Sequence, residues 1–230
     1  DELQESIRMA EENKDIYSIV ITGAGGFFCA GGDLNSLKTR RTMTEDERYK
    51  SLNNLNGSIK SIYNCSKPVI AAVEGGAAGA GVSLAMVCDM VVMSENTFLS
   101  LAYVKIGLSH DGAATKFLAD TMPRQLLSEM AMLGGKIASS RLFQIGAVNV
   151  LSQKGKAKDD ALEMCKNFVN LPKNSISRIK KLTQSACANT FDNQLKLETD
   201  FMVMSQGDKE SIEGIDAFLE KRTSNFKKLR

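Results

Sequence analysis

Two stretches of small residues are where the backbone of this chain can come close to a bound molecule: FCAGGDL at residues 28–34 and GGAAGAGVSLAMVCD at residues 75–89. Each follows a short apolar, β-branched run, SIVIT at 18–22 and VIAAV at 69–73. The second leads into an apolar helical segment whose first turn would offer unpaired N–H groups and the positive end of a dipole. That combination suits an oxygen gaining negative charge, and an amide from the first loop would complete a two-donor oxyanion hole. Taken singly, either loop reads first as tight packing between layers. Their joint occurrence turns the reading toward a ligand.

Acid and base candidates are few. His110 is the only histidine, and its type admits a base, a substrate contact or a plain surface loop residue, of which the last is preferred. Asp111 reads, from its place ahead of Gly112, as the N-cap of the helix that follows. Ser83 lies in GVSLA rather than in GxSxG, which argues against a hydrolase triad of Ser83, His110 and an aspartate. With one histidine and no clustered Cys, Asp and Glu spacing, no metal site is expected. Gly23-Ala24-Gly25-Gly26 is a poor dinucleotide loop, because Phe28 stands where a third glycine belongs and no helix begins there.

The elements that must position these residues can be traced along the chain. Leu3, Ile7 and Ala10 have helical spacing ahead of the first apolar run, and a helix is predicted from about residue 45 to 63, ended by Ser66-Lys67-Pro68. Buried strands are predicted at 69–73 and at DMVVM, with an apolar helical segment between them. This is a mixed α/β core with its loops gathered at one edge. From residue 111 onward the pattern is helical, and strand signals become rare. The last segment places Ile212, Ile215, Phe218 and Leu219 on one helical face. Neither a linker nor an internal repeat divides the chain.

Composition narrows the class further. The 230 residues are 43% hydrophobic, enough to fill a large core, and 29 basic against 27 acidic residues give a net charge of +2. So balanced a surface points away from nucleic acid and from an anionic membrane as partners. Five cysteines without a C-x-x-C pair read as reduced thiols, and no apolar run reaches a membrane span, so a soluble, cytoplasmic protein is expected.

FCAGGDL, then KPVIAAVEGGAAGAGVSLAMVCD, then IGLSHDG, and finally EGIDAFLEKRTSNF resemble, in order and spacing, the signatures of the crotonase (enoyl-CoA hydratase/isomerase) family. The resemblance covers essentially the whole chain. It implies a spiral of β-β-α units over residues 1–150, a helical trimerisation region over 151–230, and an enzyme that stabilises the enolate of an acyl-CoA. Family members usually begin with a further strand pair, so N-terminal strands are expected to be missing from this sequence. No separate cofactor is implied, since coenzyme A is part of the substrate, and a homotrimer or dimer of trimers is.

Residue by residue, the resemblance implies that the thioester oxygen is held by the amides of Gly32 and Ala80, beside Gly31 and Gly79. Phe28, Ala30 and Leu34 would line the coenzyme A channel, and His110 stands among the substrate contacts. Asp33 is expected to fix its loop or to cap the helix that follows. Phe218 is expected to be buried, in its own core or against adenine. Lys221, Lys227 and Lys228 read either as phosphate contacts or as solvated helix charges. Hydratases of the family carry two glutamates where this chain has Ser83 and Tyr103, which are poor bases near neutral pH. Asp111 aligns instead with the acid of the enoyl-CoA isomerases, and isomerisation of 3-enoyl-CoA to 2-enoyl-CoA is the leading expectation. A hydratase, another crotonase reaction and a non-catalytic acyl-CoA-binding module are the alternatives.

Overall fold

Pro68, after a bend at Ser66 and Lys67, disfavours continued helix and so separates a long helix from the most deeply buried strand among the described residues. In the computed structural model, which describes residues 2–229, α1 (Glu2–Glu12) is followed by β1 (Ile19–Thr22) and α2 (Leu34–Thr39). The amides of Asn35 and Ser36 donate to the Asp33 carboxylate at 3.2 and 3.0 Å, so Asp33 is the expected cap. α3 (Glu45–Asn64) opens with a Thr44–Glu47 capping box. There follow β2 (Val69–Val73), β3 (Ala77–Ala78), α4 (Ala80–Met86), β4 (Met90–Ser94), β5 (Phe98–Ser100) and a 3₁₀ turn, Ala102–Ile106. The second half contains α5 (Ala114–Ala119), α6 (Arg124–Leu133), β6 (Lys136–Ala138), α7 (Ser139–Gln144), β7 (Val150–Ser152) and α8 (Ala157–Lys166). Three helices close the chain: α9 (Lys173–Ala186), α10 (Phe191–Gln206) and α11 (Lys209–Leu219).

The strands form two sheets. β1, β2, β4 and β7 lie side by side, all parallel, while β3, β5 and β6 form a smaller sheet in which β5 and β6 run antiparallel. Cys29 bridges Ala77 in parallel and extends the smaller sheet. The chain thus steps three times from the large sheet into the small one: β1 to Cys29, β2 to β3, and β4 to β5. This is the predicted spiral, and because the large strands run one way, their outgoing loops collect along one side.

β2 is apolar at every position because both its faces are covered. Val69, Ala71 and Val73 join the main core with Ile62, Leu101 and Leu118, while Ile70 and Ala72 face Ala157 and Ala161 of α8. The mainly helical reading of the second half requires correction at two points, since it did not include β6 or β7. Each has only three residues, too few to show a period, and pairing with β5 and β4 creates them. The expected boundary at residue 150 runs through β7, and α8 covers the large sheet, so the core continues past it. Among the described residues no helix is long and apolar enough to cross a membrane.

One buried ion pair fastens the C-terminal helices to the sheet. Lys180 of α9 meets Asp89 at 2.7 Å and also donates to the Lys67 carbonyl at 3.0 Å, while the Val69 amide donates to Asp89 at 2.8 Å. Burial outweighs these partners and keeps the Asp89 carboxyl above its usual range. Removing the lysine would strand a buried acid. Lys180→Met is expected to destabilise the protein by roughly 3–5 kcal/mol, measured by urea unfolding, and a loss under about 0.5 kcal/mol would show that the pair is not the fastening.

Candidate active site

The two glycine loops meet because neither carries side chains at the point of contact. A Cβ on Gly31 would lie 2.9 Å from the Ala78 carbonyl and 3.3 Å from the Ala80 amide nitrogen, and one on Gly81 would lie 2.3 Å from the Cys29 carbonyl. Main-chain bonds lock this approach: the Ala78 amide donates to Cys29 at 2.9 Å and the Gly79 amide to Ser100 at 3.0 Å. Gly79 itself turns with φ 54° and ψ −129°, a conformation that L-residues avoid. Among the described residues the amides of Gly32 and Ala80 have no hydrogen-bond acceptor. Two unpaired main-chain donors on adjoining loops are what a developing oxyanion requires.

Beside them stands one carboxylate. The Tyr103 hydroxyl, on the 3₁₀ turn, donates to Oδ1 of Asp111 at 2.6 Å. Ser83 of α4, fully buried, donates through Oγ to the main-chain carbonyl of Asp111 at 3.1 Å. Gly112, at φ +59°, permits this contact, because a Cβ there would sit 2.9 Å from both Cβ and Oγ of Ser83. Burial, and then the hydrogen bond to Asp111, pushes the Tyr103 phenol well above its ordinary range, so it remains a proton donor at any working pH. Among the described residues Oδ2 of Asp111 has no hydrogen-bond partner. The ring of Tyr103 also approaches the Gly79 turn: a Cβ on Gly79 would lie 3.7 Å from its Cζ and Oη. The acid and the glycine loops therefore share one site.

A family model described as "Enoyl-CoA hydratase/isomerase" matches residues 1–229 of this chain. The chain belongs to the enoyl-CoA hydratase/isomerase family. Its similarity to the 1,2-epoxyphenylacetyl-CoA isomerase of Escherichia coli is 30% identity over 98% of this chain and 86% of that protein. With the 2,3-dehydroadipyl-CoA hydratase of the same organism it is 29% identical, over 98% of this chain and 87% of the relative. A crystal structure of an enoyl-CoA hydratase from Polaromonas sp. JS666 is 42% identical, with a TM-score of 0.93, covering 97% of this chain and 87% of that one. The crotonase fold and membership of this enzyme family follow. Relatives bear both isomerase and hydratase names, so the reaction must be read from the residues.

The structure changes several of these expectations. Asp111 does not cap a helix, since α5 begins at Ala114 behind Ala113, and the carboxylate turns to Tyr103 instead. His110 is not a free surface residue: its ring packs at 60° against Tyr103 with centroids 5.1 Å apart, and its Nδ1 is buried without a partner. Phe28 lies in the hydrophobic core rather than on an open channel wall, whereas Ala30 and Leu34 are exposed. Phe218, expected to be buried, is 83% exposed. Lys221 is exposed just beyond α11, a helix packed on α10 and on the 3₁₀ turn Phe226–Leu229. Sequence reasoning missed Gly112, although the D-G pair offered a signal.

No cluster of three or more metal-ligating side chains occurs among the described residues. A cavity of about 320 Å³, whose lining includes Glu11, Lys14, Lys67 and Lys173, opens at the N-terminal end of β2. It includes neither the glycine loops nor Asp111, and lies on the wrong edge of the sheet for this chemistry. Two substitutions test the contact geometry. Gly112→Ala must strain its backbone and displace Ser83, and is expected to cost roughly 2–3 kcal/mol. Gly32→Ala enters open space and should change stability by no more than about 0.5 kcal/mol. Equal effects in urea unfolding would contradict the described packing.

Proposed function

We propose that this enzyme binds a 3-enoyl-CoA, holds its thioester oxygen between the amides of Gly32 and Ala80, and isomerises it to the 2-enoyl-CoA with Asp111. The observation that carries this reading is the state of the two hydroxyl residues that replace the hydratase glutamates. Tyr103 and Ser83 both donate to Asp111, so they orient one acid rather than supply a second. In the reaction, Oδ2 of Asp111 takes a proton from C2, and the electron pair moves onto the thioester oxygen as a dienolate. The same proton then returns at C4, so that the C3–C4 double bond is lost and a C2–C3 double bond is formed. One carboxylate suffices. The Escherichia coli relative, by name an isomerase of an epoxyacyl-CoA, supports isomerase chemistry on this scaffold but not the double-bond shift itself, whereas the 42% identical structure, described as an enoyl-CoA hydratase, favours a second reading, water addition at a site formed by Tyr103 and Asp111.

Supplying a 3-enoyl-CoA and, separately, crotonyl-CoA distinguishes the two. Isomerisation raises the absorbance of the conjugated thioester from the first substrate and leaves the second unchanged, whereas hydration consumes crotonyl-CoA. Asp111→Asn is expected to lower kcat by about 10³-fold while acyl-CoA still binds, and full activity in that variant would reject the assignment.

The exposed apolar side chains of α10 and α11, among them Met202, Val203, Ile212, Ile215 and Phe218, support assembly into a homotrimer or dimer of trimers. In such an assembly Phe218 and Lys221 would serve a neighbouring subunit's coenzyme A. Sedimentation at three or six times the chain mass is the expected result, and a monomer at micromolar concentration would refute it.

A further inference from the structure

We infer that His110 is a positioning residue: its imidazole braces the Tyr103 ring, which keeps one oxygen of Asp111 engaged and leaves the other to act as the base. The inference rests on reading Asp111 as the acid. The segment that carries both residues has no regular structure and contains three left-handed positions, Gly107 at φ +70°, Gly112 at +59° and Ala113 at +59°. Main-chain bonds hold it only at its ends. The Gly107 amide donates to Val104 at 3.1 Å and the Leu108 amide to Tyr103 at 3.0 Å, while the Ala114 amide donates to Asp111 at 3.3 Å. Among the described residues no main-chain hydrogen bond fixes Ser109 or His110.

Side chains must therefore set the direction of Asp111. Ser83 takes its carbonyl and Tyr103 its carboxylate, but the phenol is useful only while its ring is held. His110 supplies that support in an edge-to-face contact at 5.1 Å. Because its Nδ1 is buried without a hydrogen-bond partner, the imidazole is placed by shape rather than by a polar anchor. A phenyl ring is accordingly expected to substitute for it.

The test is a double-mutant cycle in the intact enzyme, read as kcat and KM on whichever enoyl-CoA it turns over, by isomerisation or by hydration. His110→Ala is expected to lower kcat about tenfold with KM unchanged, and His110→Phe to recover most of that loss. In a Tyr103→Phe background, which has no hydroxyl to orient, His110→Ala should produce no further loss. Losses that multiply, an effect on KM alone, or a phenyl variant no better than alanine would each overturn the inference. Asp111→Asn run alongside separates the two levels: if it is fully active the acid assignment fails, and if it is inactive while the cycle multiplies only the role of His110 fails. A readout independent of turnover comes from His110 being the only histidine in the chain. Its imidazole proton resonances should be displaced by the Tyr103 ring current, retained in Tyr103→Phe and lost in Tyr103→Leu; no displacement would exclude the contact.

Discussion

The site depends on a main-chain approach so close that only glycine permits it. Gly31 abuts Ala78 and Ala80, and Gly81 abuts Cys29, at separations a Cβ would close to 2.3–3.3 Å. This contact joins the first two turns of the spiral, and the Ala78 and Gly79 amides secure it by bonding to Cys29 and Ser100. The consequence is chemical as well as mechanical. Loops that pack through backbone alone present their remaining amides outward, and those of Gly32 and Ala80 are left unpaired. An electrostatic trap made of fixed dipoles does not have to reorganise when charge develops.

The acid is placed by a different device. Asp111 sits in an irregular segment in which, among the described residues, no main-chain hydrogen bond holds Ser109 or His110. Hydroxyls from α4 and from the 3₁₀ turn hold Asp111, one on the carbonyl and one on the carboxylate. Ser83, Tyr103 and Asp111 thus form a small network of two hydroxyl donors on one acidic residue. The phenol remains protonated because burial disfavours its anion.

Charges elsewhere serve the scaffold that holds these loops. Lys67 donates to the carbonyls of Ala10 and Asn13 at the end of α1, and Glu210 accepts from the amides of Asn174 and Ser175 at the start of α9. Each opposes the dipole of its helix end. The Asp89–Lys180 pair links α9 to the incoming ends of β2 and β4, opposite the ends from which the glycine loops leave. The sheet is thus fastened on one side and left free to build a site on the other.

Much of this was legible in the chain itself. The β2 run, the α3 span and the two glycine loops follow from residue type and local spacing, since β-branched runs, prolines and glycines constrain the backbone wherever they occur. The family was equally visible in the order of the motifs, which also singled out Gly32, Ala80 and Asp111 as candidates. The short strands β6 and β7 were not, because three residues become a strand only when a neighbour supplies the hydrogen bonds. Nor could local sequence show that Ser83 and Tyr103 both hydrogen-bond to Asp111, that the His110 ring packs against Tyr103, or that Phe28 turns inward while Phe218 lies exposed. These depend on contacts between segments far apart in the chain, 28 residues between Ser83 and Asp111 and more between Phe28 and its hydrogen-bond partner Glu74. Only the wound spiral brings such segments together, so residue type was decided by the sequence and partnership by the tertiary structure.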